Sequence, residues 1–193
     1  RLLEKLKNHS GDPCFKALRP ADSAETNVAW KMAMENDKTP TGLILSRQGI
    51  KDLPAATSRY KEALAAEKGG YTILDVENPD VVLIANGSEV ATLIEGAKLL
   101  EERENIKAKV VSVPSEGIFR LQSKAYQEAI IPTNIPAFGL TAGLPVNLEG
   151  LVGANGKVFG LDHFGYSAPA SVLDEKFGFT GGNVFKQVQE LLK

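Results

Sequence analysis

Two positions in the sequence combine the predicted end of a strand with groups that bind anions. Arg47 follows an apolar run that reads as a buried strand, and ligands of open α/β sheets bind at the carboxyl ends of strands. A guanidinium there can hold a phosphate through paired hydrogen bonds, although a lone arginine after a strand is more often solvated or salt-bridged. Gly87, Ser88 and Glu89 join another apolar run to a helix, where free backbone N–H groups favour an anion. The alternative for Ser88 is a simple helix N-cap.

The histidines and the single cysteine give weaker indications of chemistry. His163 follows Asp162, but neighbouring side chains at a strand end point apart and would not form an acid–base dyad. His9 lies in a polar turn without a partner at metal-ligand spacing, and a lone Cys14 excludes an intrachain disulfide and a cysteine metal cluster. These residues predict no complete catalytic constellation and no metal site.

Composition and charge restrict the classes of function. The 193 residues include 22 Lys and Arg against 24 Asp and Glu, a formal net charge of −2 that argues against a nucleic-acid partner. The sequence contains no run of about 18 apolar residues, so it predicts no membrane span. The chain begins at Arg1 without an initiator methionine or a signal-peptide pattern, which suggests a piece of a longer protein. The absence of a disulfide framework and of a targeting segment favours the cytoplasm.

The first part of the chain predicts an incomplete α/β segment. Its expected elements are a helical fragment over 1–7, strands over 14–18 and 41–46, and a helix that begins at Asp22. Asp22 and Glu25 have the spacing of a capping box, and strand, helix and strand follow one another at the length of a βαβ unit. Trp30 lies off the apolar stripe of this helix, so it either flanks the core or reaches a subunit partner.

Strands and helices alternate clearly in the second part of the chain. The expected strands lie at 71–76, 81–85, 108–113, 135–141 and 158–161, and the expected helices at 87–104, 123–130, 170–177 and 183–192. Such alternation predicts a three-layer α/β/α fold with a mostly parallel sheet. Only four residues separate the first two strands, too few for a parallel crossover, so this pair is expected to be antiparallel and the sheet mixed. We place a domain boundary near residue 65, between segment 1–65 and domain 66–193, within a charged helix or linker over 58–68.

Several motifs resemble those of the transketolase family, in family order along nearly the whole chain. The first group resembles the end of the pyrimidine-binding domain: Arg19-Pro20-Ala21-Asp22-x-x-Glu25-Thr26, Trp30, Pro40-Thr41 and Leu45-Ser46-Arg47-Gln48. The second resembles the C-terminal domain: Pro79-Asp80-Val81, Ile84-Ala85-x-Gly87-Ser88-Glu89-Val90, Val111-Ser112-Val113-Pro114-Ser115, Phe164-Gly165-x-Ser167-Ala168-Pro169 and Glu175-Lys176-Phe177-Gly178.

The resemblance implies a fragment of a transketolase, a transferase of the pentose phosphate pathway. Such an enzyme moves a two-carbon ketol unit between sugar phosphates with thiamine diphosphate and a divalent cation, Mg²⁺ or Ca²⁺. It is a cytoplasmic homodimer with active sites at the subunit interface. The resemblance assigns Arg47 to the phosphate of the sugar. It gives this chain no catalytic, cofactor-binding or metal-binding residue, because the family residues with those roles lie upstream of Arg1. The chain alone is therefore expected to bind no cofactor and to be inactive.

Three departures from the family pattern fall in the C-terminal domain. Ser115-Glu116-Gly117 lacks a following tryptophan, Leu140-Thr141 lacks the acidic residue that often precedes Ala-Gly, and His163 stands where arginine or a small polar residue is frequent. They bear on surface partners more than on chemistry. The alternative function is that of a non-catalytic dimerisation or regulatory α/β module, which would bind an anion at the helix start near Gly87.

Overall fold

A small two-stranded sheet forms the first part of the molecule. The structure is a computed structural model that describes residues 2–193, so Arg1 of the expected fragment over 1–7 lies outside the described residues. The elements are α1 (Leu2–Lys5), β1 (Lys16–Leu18), α2 (Ser23–Glu35) and β2 (Thr41–Leu43). The two strands pair in parallel, as a βαβ unit requires, but each has only three residues and is shorter than expected.

A helical connection leads from the small sheet to the larger one. It consists of α3 (Arg59–Ala63) and a 3-10 helix (Leu64–Lys68), and it confirms the expected charged helix over 58–68. Gly69 ends it with a φ of +82°, and a Cβ there would lie 2.2 Å from the backbone nitrogen of Phe119. Only glycine fits this left-handed and crowded position. The boundary near residue 65 stays a prediction.

A five-stranded mixed sheet forms the second part of the molecule. Its strands are β3 (Tyr71–Leu74), β4 (Val81–Ala85), β5 (Ala108–Ser112), β6 (Ala137–Leu140) and β7 (Lys157–Phe159). They lie in the order β3-β5-β4-β6-β7, and all neighbours are parallel except β3 and β5. The predicted mixed and mostly parallel α/β sheet is thus confirmed.

The first two strands of this sheet run antiparallel to each other as expected, but they do not pair. β3 runs antiparallel to the other strands, but β5 lies between it and β4. After β4 the chain forms a long helix and then β5, which pairs with β4 in parallel. β5 thereby occupies the edge of β4 at which β3 would lie in a hairpin. β3 therefore pairs with β5, with a register shift between Thr72 and Leu74.

Helices cover both faces of the large sheet. They are α4 (Glu89–Glu104), α5 (Glu116–Arg120), α6 (Lys124–Ile130), α7 (Val146–Val152), α8 (Ala170–Phe177) and α9 (Gly181–Leu191). Because side chains alternate along a strand, Leu83 of β4 packs with α4 and α9, while Ile84 packs with the helices of the opposite face. This gives the expected three layers. The sequence did not indicate α5 and α7, and no residue of α8 is buried.

No helix within residues 2–193 is both long enough and apolar enough to span a lipid bilayer.

Candidate functional site

A groove of about 660 Å³ lies between the small sheet and the large one. One wall is the loop after β2, which includes Arg47. A second wall is the turn from Gly87 to Glu89 at the start of α4, and a third is part of the stretch from Leu161 to Phe179. The two anion-binding candidates of the sequence, Arg47 and the Gly87 turn, therefore line one groove and are not separate sites.

Arg47 is an arginine without an internal partner. Its side chain is exposed, and within residues 2–193 it makes no hydrogen bond or ion pair. Arg19, Arg59 and Arg120 are each paired with a carboxylate, and Arg103 lies over the Phe185 ring. The Arg47 guanidinium can therefore offer its forked N–H groups to an anionic ligand without breaking an internal contact.

The start of α4 is occupied by side chains of the protein itself. Arg19 forms an ion pair with the buried Glu89, and it donates hydrogen bonds to the backbone and side-chain oxygens of Asn86, both at 2.7 Å. Gly87 has a φ of +64°, and a Cβ there would lie 2.7 Å from the Arg19 guanidinium carbon. The Ser88 side chain does not cap the helix, since its hydroxyl donates to Glu89 at 3.1 Å. Ser88 thus occupies the predicted N-cap position of α4, but without the capping hydrogen bond of its side chain.

Acidic and aromatic side chains line the opposite wall of the groove. Partial burial, and secondly the charge of Glu89, raise the pKa of Asp174. Tyr166 stacks on Phe177 with ring centroids 5.7 Å apart. The Asp174 carboxylate on this wall repels an anion, so the geometry favours binding at the Arg47 end.

His163 takes no part in an acid–base pair with Asp162 within the described chain. Its Nδ1 lies 2.8 Å from the carbonyl oxygen of Phe164, and its ring packs beside those of Tyr166 and Phe177. Cys14 is a half-buried free thiol, and Trp30 is 52% exposed and so lies outside the core.

A buried polar network joins the small sheet to the large one. Asp22 caps α2 as predicted, because its Oδ1 accepts a hydrogen bond from the Glu25 amide at 2.8 Å. Arg59 Nε donates to Asp22 at 2.5 Å, and the Tyr71 hydroxyl donates to Glu25 Oε1 at 2.7 Å. Asp22, Glu25 and Tyr71 are all buried.

Burial sets the protonation of this network. It raises the pKa of Glu25, while a hydrogen bond from Tyr71 opposes the shift. Burial likewise raises the pKa of Tyr71, and the neighbouring Glu25 charge adds to the effect. Tyr71 is therefore a neutral hydrogen-bond donor at neutral pH. The sequence indicated the Asp22 cap but gave no signal for Arg59 or Tyr71, since both partners come from distant parts of the chain.

The same network fixes the end of the loop that carries Arg47. Leu53 donates its backbone N–H to Asp22 Oδ2 at 3.0 Å, and its side chain is buried in the core of the large sheet. Ser23, at the start of α2, donates its hydroxyl to Asp52. The groove thus takes its shape from contacts between the two sheets.

Comparison with known proteins gives consistent matches. Residues 69–180 match the family model described as the transketolase-like TK C-terminal domain. The chain is 38% identical over 191 residues to a transketolase of Staphylococcus aureus (strain MW2), which covers 98% of this chain and 28% of that protein. Among solved structures, transketolase from Leishmania mexicana matches with a TM-score of 0.85 and 32% identity, over 99% of this chain and 26% of its own.

A further match is a transketolase of Pichia stipitis solved in complex with sedoheptulose-7-phosphate. It has a TM-score of 0.81 and 32% identity, over 95% of this chain and 26% of its own. The chain thus spans only a small part of the length of these relatives, 28% in the case of the bacterial protein.

Proposed function

The chain belongs to the transketolase family, and we propose that the whole protein of which it is part transfers a two-carbon ketol unit between sugar phosphates. The proposed cofactors are thiamine diphosphate and a divalent cation, Mg²⁺ or Ca²⁺, and the proposed assembly is a cytoplasmic homodimer. One relative has been solved with a sugar phosphate, sedoheptulose-7-phosphate, which supports this class of substrate. The exposed Trp30 and Met34 supply apolar surface for a subunit contact.

Arg47 is the residue by which this chain would bind the substrate. The observation that carries the proposal is its guanidinium, which lines the groove from the loop after β2 and has no partner within residues 2–193. A phosphate there accepts two parallel hydrogen bonds from the guanidinium fork. Asp174 on the opposite wall repels the phosphate, and the charge of Glu89 is offset by its ion pair with Arg19. Among the described lining residues, Arg47 therefore offers the free positive charge. Arg47 would thereby orient the sugar with its phosphate fixed and its opposite end free to reach the cofactor.

The chain's own residues do not fit the cofactor's cation. Within residues 2–193, no three His, Cys, Asp or Glu side chains are grouped so that they could hold a metal ion. We therefore propose that this chain acts at the substrate end of the active site. That the chain alone binds no thiamine diphosphate stays a prediction. Calorimetric titration with the cofactor and Mg²⁺ tests it, and micromolar binding would contradict it.

The role of Arg47 predicts a specific loss of affinity for sugar phosphates. Replacing Arg47 with Ala should weaken binding of sedoheptulose 7-phosphate to the chain about tenfold or more, because a bidentate charge-assisted contact is lost. Binding is measured by NMR titration of the chain. Lys51→Ala is the matched control, since it removes an exposed charge nearby that does not line the groove. Equal affinities of the Arg47→Ala chain and the unsubstituted chain would show that the assignment is wrong.

The alternative of an anion-binding module at the Gly87 turn finds no support in the geometry. A carboxylate, Glu89, already lies at this helix start and is paired with Arg19. A second anion would have to displace Glu89 from Arg19 and from the helix start.

A further inference from the structure

The loop that carries Arg47 is exposed throughout but tied down at both ends. Residues 44–52 are all exposed. At the front end, Ile44 donates its backbone N–H to Leu18 of β1 at 2.8 Å. At the far end, Leu53 is buried. Between these ends, the backbone around Arg47 has few contacts of its own, so the two ends determine where the guanidinium lies.

Asp22 holds the far end of this loop through one carboxylate oxygen. Its Oδ2 accepts the Leu53 N–H at 3.0 Å and the Arg59 Nε–H at 2.5 Å. Its Oδ1 accepts the Glu25 N–H that caps α2. The side chain is completely buried, so water cannot replace a lost acceptor.

A carboxylate is required at this position, because four N–H groups converge on its two oxygens. An amide side chain presents one acceptor oxygen and one donor NH₂ group. If the amide oxygen of an asparagine at position 22 accepts the capping hydrogen bond, its NH₂ group faces the N–H groups of Leu53 and Arg59. Donors then face donors, and these hydrogen bonds are lost. If the amide turns over, the cap is lost instead.

We infer that Asp22 is a positioning residue for Arg47. It connects the loop that would bind the phosphate to side chains that are held by the large sheet. Arg59 and Tyr71 hold Asp22 and Glu25 from the side of the large sheet, and Asp22 holds Leu53. The inference rests on the function proposed for Arg47. Without the Asp22 contact, the loop must be ordered by the ligand itself, and this entropy cost weakens binding.

The matched pair of variants is Asp22→Asn and Glu25→Gln. Both alter the same buried network, but the Glu25 side chain makes no hydrogen bond or ion pair with residues 44–53 in the described structure. The Asp22→Asn chain should bind sedoheptulose 7-phosphate about fivefold more weakly, the effect of one lost hydrogen bond. The Glu25→Gln chain should keep its affinity. The NMR signal of the Arg47 Nε–H group should shift in the Asp22→Asn chain only.

The binding measurements test the positioning role of Asp22 and the phosphate-binding role of Arg47 separately. If Arg47→Ala weakens binding and Asp22→Asn does not, the positioning role is wrong and the phosphate role stands. If Arg47→Ala has no effect, the phosphate role itself is wrong, and the inference with it. Should the Asp22→Asn chain fail to fold, Leu53→Pro replaces it, since proline lacks the backbone N–H that Asp22 accepts. An unchanged affinity and an unchanged Arg47 signal in that variant would overturn the inference.

Discussion

Every residue of β4 and β5 in the large sheet is buried, whereas β1 and β2 of the small sheet are only partly buried apart from Leu18. Two layers of helices cover the large sheet, and its core is apolar on both faces. The small sheet is covered by α2, which contacts the rest of the molecule through a small apolar cluster that includes Val28 and Ala63 and through the polar contacts around Asp22. The proposed ligand-binding residue, Arg47, therefore lies on the less deeply buried part of the molecule.

Replacing one leucine in each sheet tests this difference in burial most directly. Leu83→Ala in β4 should lower the free energy of unfolding by about 3–4 kcal/mol, because the side chain is fully buried and leaves a cavity. Leu43→Ala in β2 should cost about 1 kcal/mol, because Leu43 is half-buried. Urea denaturation measures both values. Equal losses would show that the small sheet is as firmly packed as the large one.

A smaller loss is expected when the polar network between the sheets is broken. Arg59→Ala should destabilise the chain by about 3 kcal/mol, since it leaves the buried Asp22 carboxylate without its counter-ion. The control is Lys98→Ala on α4, which removes an exposed pair with Glu102 and should leave stability unchanged within error. Urea denaturation is again the measurement. If Arg59→Ala and Lys98→Ala lower the free energy of unfolding by equally small amounts, the network does not stabilise the contact between the sheets.

The smallest effect is a dependence on pH that arises from Glu25. Burial raises the pKa of Glu25 above its ordinary value of 4.5. A group with a raised pKa in the folded state contributes stability that is fully present below the unfolded pKa and is lost as pH rises through the folded pKa. The chain should therefore lose stability relative to its Glu25→Gln variant as pH rises from about 4.5 toward neutrality. Thermal unfolding of both chains over this range measures the difference, and a constant difference would contradict the raised pKa.

Much of the large sheet could be predicted because its signals are local. The continuous apolar run from Val81 to Ala85 is typical of a strand buried on both faces, and it forms β4. Asp22 was recognisable as a helix cap from its spacing to Glu25. The neighbour of β3 was not predictable in this way, because the strand that returns beside β4 is set by how α4 packs.

The site was predictable only in part, for the same reason. Arg47 was identified through the family motif, and its freedom from internal partners required the structure. The sequence treated Arg47 and the Gly87 turn as two sites, because 40 positions separate them and nothing local indicates that they line one groove. The tie between Asp22 and Leu53 leaves no pattern at all, since a backbone N–H carries no signature of residue type.

The polar network also has a consequence for the order in which the molecule folds. Its contacts join residues 31, 37 and 46 positions apart in the chain, at Asp22–Leu53, Asp22–Arg59 and Glu25–Tyr71. Tyr71, which bonds to both Arg59 and Glu25, belongs to β3, and its position depends on the pairing of β3 with β5. We therefore expect these contacts to form after the large sheet. Loss of a late contact speeds unfolding and leaves the folding rate nearly unchanged, which stopped-flow kinetics of the Asp22→Asn chain would reveal. The loop around Arg47 would then be the last part of the chain to acquire its shape and the first to lose it.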